Sequence, residues 1–400
     1  FGPDKQFGNF WSIGSAWVFS NEAFLKNHRR WLSFGKLRAS LGTTGNDGIG
    51  DYGYVSTYTS TSLYGTTNAI IPSPQIANPD FQWEVNHKME AALELGLDHD
   101  HLLFTASFYR NRSGNQLVNY ALPSITGSSG YTANLPAVVQ NEGWEFELTA
   151  NILKSKSFGW AISANLTLPS NKLVEFPGLI NSSYANSYVI GKPLSIVQAY
   201  HLIGVDPNTG TTVIQDVDKN GSFVPTSSYN KQGGDYIIAG KTAPAWYAGI
   251  DNSLHFKEFQ FDIFFQYINQ EGYNLYTLYG NMGRMVNSWD SYLPYWKKSG
   301  DENVLPAPFI SSNASLTHFF QSDAIFRDAS FLRLKNISFS YRIPDRWINS
   351  LKITSLQIYI QGQNLLTITS YKGYDPENAS NSNLVVPPLK MLTVGIKCSL

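Results

Sequence analysis

Charge is scarce in this 400-residue chain: Asp, Glu, Lys and Arg together make 15% of it, against the roughly 25% usual in soluble proteins. The few charges nearly cancel, to a formal net charge of −1. That balance excludes nucleic acid as a partner, and no polybasic run offers itself to anionic lipid. Cysteine is scarcer still. The single Cys398 rules out an internal disulfide framework, and its place on an apolar phase predicts a small buried hydrophobe. No run of 18 apolar residues occurs, so no transmembrane helix is available. Helical periodicity is nearly missing; the one fair candidate is Asn21–Trp31. The patterns H-E-x-x-H, G-x-S-x-G and paired C-x-x-C are all absent, so nothing points to a catalytic nucleophile or to an enzyme.

What the chain has instead is rings, turn formers and a two-residue rhythm. Aromatics make 14%, with 24 Phe, 23 Tyr and 10 Trp, beside 32 Gly and 19 Pro. Met89, Ala91, Leu93, Leu95 and Leu97 alternate with Glu90, Glu94 and Asp98. Trp144, Phe146, Leu148, Ala150 and Ile152 oppose Glu145, Glu147, Thr149 and Asn151; Phe259, Phe261, Ile263, Phe265 and Tyr267 oppose Gln260, Asp262 and Gln266. Leu392, Val394, Ile396, Cys398 and Leu400 carry the rhythm to the last residue. About eleven such strands can be counted, many near the ten residues that cross a bilayer obliquely. Two slip phase: Leu332 and Leu334 against Ile337, Phe339 and Tyr341, and Ile353 against Leu356, Ile358 and Ile360. Each slip predicts a β-bulge.

The connections alternate in length. Short ones fall at Ser20–Gly35, His99–His101, Lys154–Lys156, Lys257–Glu258 and Ile343–Leu351. Long ones fall at Asn46–Gln82, Ser113–Asn141, Pro169–Pro244, Glu271–Ser322 and Ile368–Pro388. Tight turns at one end and long loops at the other are what an outer-membrane barrel requires, and a soluble sandwich has no reason to segregate them. In hydrocarbon every backbone N–H and C=O needs an internal partner, so without helices only a closed barrel can cross. The fold class expected is therefore all-β, an antiparallel transmembrane β-barrel with long extracellular loops and short periplasmic turns. The competing reading is a soluble or surface-attached glycan-binding or glycan-degrading β-protein, in which the apolar stripes of two sheets would interlock as a dry core.

Several stretches, in order, resemble the SusC/RagA-type TonB-dependent transporters of Bacteroidetes outer membranes: KLRASLGTTGNDGIGDY, NPDFQWE, VVQNEGWEFEL and GKTAPAWYAGIDNSLHFKEFQFDIFFQY. The most specific are DASFLRLKNISFSYRIPDRW and IYIQGQNLLTITSYKGYDPE. The resemblance covers nearly the whole chain and implies a 22-stranded barrel. Residues 1–400 would then be its C-terminal part, about the last eleven strands, with the plug, the TonB-contacting box and the N-terminal strands lying upstream. It further implies an importer of glycan oligomers or peptides in the outer membrane of a Gram-negative bacterium. A SusD-like surface lipoprotein would act as lid, and the TonB complex would drive the cycle through the missing N-terminal region. No cofactor is required.

Candidate sites are few. DVDKNG, Asp216–Gly221, resembles the first half of a calcium loop, with Asp216, Asp218 and Asn220 as oxygen donors. Its twelfth position is Ser227 rather than an acid, so the expectation is a weak Ca2+ site or an Asx/Gly turn in an extracellular loop. Trp289, Tyr292, Tyr295 and Trp296 cluster in SWDSYLPYWKKSGDEN; such rings can stack on an oligosaccharide or peptide ligand, or form the loop's own core. Tyr58 is a further ligand-contact candidate. GIGDYG (Gly48–Gly53) and GGDYIIAGKTAP (Gly233–Pro244) fail as nucleotide loops because no helix follows either. His99 and His101 of DHDH read as a polar turn. Trp11, Trp17, Trp83, Trp246 and Trp347 are expected in interfacial girdles.

Overall fold

The computed structural model describes all residues except 29–30, 49–51, 65–66, 73–76, 122–124, 126–129, 277–284, 286, 288–293, 310–313, 349–352, 381–384 and 400. Its strands in chain order begin with β1 (Ser12–Trp17), β2 (Leu32–Asn46), β3 (Tyr58–Tyr64), β4 (Thr67–Pro72), β5 (Glu84–Leu97), β6 (Leu102–Gly114) and β7 (Gln116–Ala121). There follow β8 (Gly130–Leu135), β9 (Val138–Lys154), β10 (Phe158–Glu175), β11 (Ile196–Ala199), β12 (Leu202–Val205), β13 (Thr212–Ile214) and β14 (Ile237–Lys241). The last are β15 (Trp246–Phe256), β16 (Phe259–Asn269), β17 (Glu271–Tyr273), β18 (Phe326–Asp328), β19 (Phe331–Arg342), β20 (Ser355–Thr369) and β21 (Met391–Ser399). Two short helices, α1 (Ala314–Phe320) and α2 (Asp345–Ile348), lie in connections.

Eleven strands form one antiparallel wall in the order β1-β2-β5-β6-β9-β10-β15-β16-β19-β20-β21. The others pair among themselves inside the long connections, as β3–β4, β7–β8, β11–β14, β12–β13 and β17–β18. Each wall strand therefore neighbours the next wall strand in sequence. The short connections, 18–31, 98–101, 155–157, 257–258 and 343–354, collect at one end, and the long ones at the other. The 98–101 turn uses left-handed backbone at Asp98, His99 and Asp100 (φ 49°, 57° and 63°). Asp and His are among the side chains that tolerate that region best, and Ser33 Oγ donates to Asp100 Oδ1 at 2.6 Å to hold the turn.

Register sorts the side chains. One face runs through Trp17, Leu37, Leu93, Ala106, Phe146 and Leu166; lower down it runs through Trp160, Leu254, Phe261, Phe339, Ile360 and Val394. The other face carries Lys36, Glu94, Thr105, Glu147 and Asn165 in one row, and Ser253, Asp262, Ser338, Gln361 and Thr393 in another. The apolar stripe of β16, Phe259 to Tyr267, covers about 21 Å at about 3.4 Å per residue and a tilt of about 40°, near the roughly 25 Å band of outer-membrane barrels. Among the described residues no second sheet packs over that face, and Ile13, Val394 and Ile396 are 66%, 70% and 69% exposed. The protein's buried apolar clusters lie elsewhere. One joins Leu135, Ala137, Val139, Leu173, Phe176 and Leu179 at the upper rim; the other joins Leu316, Phe319 and Ala324 among the loops. Trp11, Trp83 and Trp246 sit at the long-loop end, Trp17 and Trp347 at the other.

Three local expectations need correction. Asn21–Trp31 holds no α-helix among its described residues; 3-10 turns span Phe19–Asn21 and Ala23–His28. Val18 at the first N-cap supplies no side-chain acceptor, and so short a segment cannot repay helix nucleation. Cys398 is exposed rather than buried, because it stands on the uncovered apolar face opposite Leu356. The phase change at Ile353 is no bulge: that residue precedes β20. The bulge expected in β19 is present, between Leu334↔Phe265 and Asn336↔Phe264, with Lys335 extra. On the other side β20 answers with Asn364 and Leu365 between two paired positions, Asn364 at φ 53°.

Candidate functional site

The polar face of the wall is a network of charges and amides. Arg38 pairs with Glu90 through NH1 and with Glu94 through Nε at 2.9 Å, and Lys36 reaches Glu94 at 3.3 Å. Asp262 accepts from Ser253 Oγ at 2.7 Å, Gln260 Nε2 at 3.0 Å and Ser338 Oγ at 3.2 Å. Groups of this kind are satisfied by water or by one another, so this face suits an aqueous lumen. The arrangement offers binding and hydration, with no activated nucleophile among the described residues.

Above the wall, the 176–245 connection holds the acidic loop. Left-handed Lys219 and Gly221 (φ 60° and 78°) curl the chain around Asp216, whose Oδ2 accepts from Gly221 N at 2.7 Å and Oδ1 from Asn220 N at 3.2 Å. These backbone donors, Gly221 first, hold the Asp216 carboxyl below its usual pKa. Asn220 braces Asp218, giving Nδ2–H to Oδ2 at 2.8 Å, while its own Oδ1 takes Ser222 N–H at 2.7 Å. Position 227 does not supply the missing acid; Ser227 is fully buried. Asp235 comes instead from beyond it, fixed by Val217 N and Val224 N at 2.8 Å each. Carboxylate oxygens of Asp216, Asp218 and Asp235 lie within 4.8 Å of one another. Three hard anionic oxygen donors at that spacing fit a divalent cation such as Ca2+. Sequence reading missed Asp235 because nothing in its spacing ties it to Asp216.

Of the aromatic candidates, Trp289 and Tyr292 lie outside the described residues. Tyr295 packs against the Leu316, Phe319 and Ala324 cluster and carries Lys297 Nζ over its ring at 5.0 Å. Trp296 donates Nε1–H to Pro207 O at 2.8 Å. Its ring lies flat against Gly210, at φ 69°, where an added Cβ would sit 2.4 Å from the indole. Both rings are thus engaged in the loop's own packing. Tyr58, by contrast, is exposed at the start of β3. No helix follows GGDYIIAGKTAP; its middle becomes strand β14.

A second feature that spacing does not disclose joins the wall to its last long loop. Arg333 belongs to the polar face, opposite Gln266 and Thr367. It donates NH2 to Asp375 Oδ2 and NH1 to Glu377 Oε2, each at 2.6 Å, and Nε to Thr367 Oγ1 at 3.0 Å. Lys335 adds bonds to Glu377 at 2.9 Å. Asp375 also caps the 3-10 turn Pro376–Asn378 through Glu377 N. Because Arg333 points to the polar side, this turn is drawn in over the lumenal face instead of standing away from the rim.

Comparison with known proteins follows the same lines. A family model described as TonB dependent receptor-like, beta-barrel, matches residues 2–365. TonB-dependent receptor P3 of Formosa agariphila is 26% identical, over 96% of this chain and 40% of its own length. TonB-dependent receptor SusC of Bacteroides thetaiotaomicron is 26% identical, over 94% of this chain and 38% of its own. Among solved structures, the RagAB peptide transporter superposes with a TM-score of 0.84 at 24% identity, covering 100% of this chain and 44% of that one. This chain spans about 40% of the length of the curated relatives it matches. It is a member of the TonB-dependent receptor-like β-barrel family.

Proposed function

We propose that this chain is the C-terminal half of a 22-stranded outer-membrane importer barrel that takes up peptides or glycan oligomers beneath a SusD-like lipoprotein lid, energised through TonB. The observation that carries the reading is the wall itself: eleven strands, one face largely apolar across its middle, one polar face, and β1 and β21 at its two edges. Edge N–H and C=O groups cannot be left bare in hydrocarbon, so a membrane-spanning wall of this kind needs further strands to close it. Its polar face would then hold the lumen wet, while the loops above shape the ligand cavity. A peptide cargo draws support from the RagAB likeness, and a glycan cargo from kinship with SusC. The acidic loop would take Ca2+ as a structural ion through Asp216, Asp218 and Asp235, without a part in chemistry.

Fractionation of the full-length protein tests the reading. It should remain with the outer membrane, need detergent for extraction, and bring down a surface lipoprotein when affinity-purified. Recovery in the aqueous phase without detergent would reject the importer and return the soluble glycan-binding protein. Uptake of defined peptides against defined oligosaccharides by a strain carrying only this transporter would separate the two cargo classes.

A further inference from the structure

On β5, β6, β9 and β10 the apolar face stops abruptly toward the long-loop end. Its last apolar row is Ala91, Phe108, Trp144 and Leu168, with the Phe108 and Trp144 ring centroids 5.1 Å apart. The next row on the same face is Met89, Arg110, Glu142 and Ser170, and the one beyond it His87, Arg112, Gln140 and Lys172. Three fixed cations and a histidine thus share this face with one acid. Arg110 and Arg112 share β6, and strand register brings His87 and Lys172 to them from other strands. Arg112 Nε donates to Gln140 Oε1 at 2.6 Å, and Gln140 is 4% exposed, so one edge of the guanidinium is anchored. Arg112, Lys172 and His87 are exposed. Among the described residues none of Arg110, Arg112 and Lys172 stands in an ion pair. The same end of β15 and β16 carries Trp246 opposite Asn269 and no charge, so the strip is local and not a general rim.

We propose that Arg112 and Lys172, assisted by Arg110 and His87, bind the phosphate of a lipid headgroup in the leaflet at the long-loop end. The inference rests on the outer-membrane reading above. Two strand spacings separate β6 from β10, about 10 Å, and both side chains are long enough to converge on one phosphate across Gln140. The free edge of the Arg112 guanidinium suits a phosphate's oxygens, and Lys172 adds a point charge. A free anion would use only the cations. The floor of Phe108, Trp144 and Leu168 directly beneath them adds a surface for acyl chains, which selects a ligand with an anionic head and an apolar tail.

The test uses the full-length transporter purified in neutral detergent, titrated with monophosphoryl lipid A and with the same lipid lacking its phosphate, and read by native mass spectrometry. Wild type should retain the phosphorylated lipid and discriminate against the other. Arg112→Gln and Lys172→Gln should each weaken retention about fivefold, and the pair roughly twentyfold to thirtyfold. Lys397→Gln, on the polar face, should change nothing. Equal binding of the two lipids by wild type overturns the proposal, even if the variants fail to assemble. So does unchanged retention by the double variant, or competition by inorganic phosphate at the concentrations at which the lipid binds. Failure of the barrel reading itself is distinguishable: the protein would then need no detergent.

Discussion

Arg333 provides the most demanding prediction. Its side chain is 1% exposed and that of Asp375 is 7% exposed, so the pair has almost no access to water. Arg333→Met keeps most of the packing volume but leaves the Asp375 carboxylate buried without its 2.6 Å partner. Breaking a buried pair from one side costs about 3–5 kcal/mol. Glu377 loses less, since Lys335 still holds it at 2.9 Å. At about 1.4 kcal/mol per tenfold, opening of the 375–379 turn should become more frequent by about a hundredfold to a few thousandfold. Hydrogen exchange of the full-length protein in detergent reads this directly at the amides of Glu377, Asn378 and Ala379, which bond to Asp375 Oδ1, Asp375 O and Pro376 O. Arg333→Met combined with Asp375→Leu should regain most of the protection at Asn378 and Ala379, whose acceptors are backbone carbonyls, because an apolar pair carries no stranded charge; Glu377, which loses its Asp375 Oδ1 acceptor, should stay labile. Unchanged protection in the single variant, or a double variant more labile than the single at Asn378 and Ala379, would refute the reasoning.

Three further outcomes follow from the geometry. Ile263→Arg, at the middle of the apolar stripe of β16, should cost about 2–4 kcal/mol and sharply reduce assembled barrel on heat-modifiability gels, while Gln260→Arg, exposed on the polar face beside Asp262, should assemble normally. Calcium should bind the acidic loop with a Kd on the order of 10⁻⁴–10⁻³ M, and Asp235→Asn should weaken it at least tenfold by calorimetry; a wild-type protein that shows no calcium heat removes the site. His318, in α1 between the rings of Tyr200 and Phe223, is held below its ordinary pKa of 6.5 by burial. The unfolded segment then binds more protons than the folded one, so its contribution to stability is complete above pH 6.5 and is lost as pH falls below it. Proteolytic sensitivity of the loop cluster should rise toward pH 5 in wild type and stay level in His318→Phe.

The wall was legible in the sequence because a strand repeats every two residues and each wall strand declares both of its faces. Even the Lys335 bulge showed, as a change of phase between Leu334 and Ile337. Ile353 misled for the same reason: a phase change just ahead of a strand looks like one within it. The Asn21–Trp31 pattern had helical composition but no cap. Site residues were harder to read. Asp216 and Asp218 are neighbours in a loop and could be seen, whereas Asp235 reaches them only through the fold of the intervening turn. Arg333 and Asp375 are 42 positions apart, and no local pattern marks an arginine as buried. Tyr295 and Trp296 had the composition of a ligand platform, and only packing against Gly210 and the Leu316 cluster reveals what their rings touch.

The sequential order of the wall has a consequence for how it is made. Each wall strand pairs with the wall strand before it, so the sheet can lengthen by one strand at a time, with short and long loop closures alternating. The join between β10 and β15 is the expensive one, since loop-closure entropy grows with the length of the 176–245 segment. Pairing β11 with β14 and β12 with β13 inside that segment shortens the effective loop before the join is made. Those small sheets would then set the pace of biogenesis, and lesions in them should accumulate an intermediate whose growth has stopped at β10.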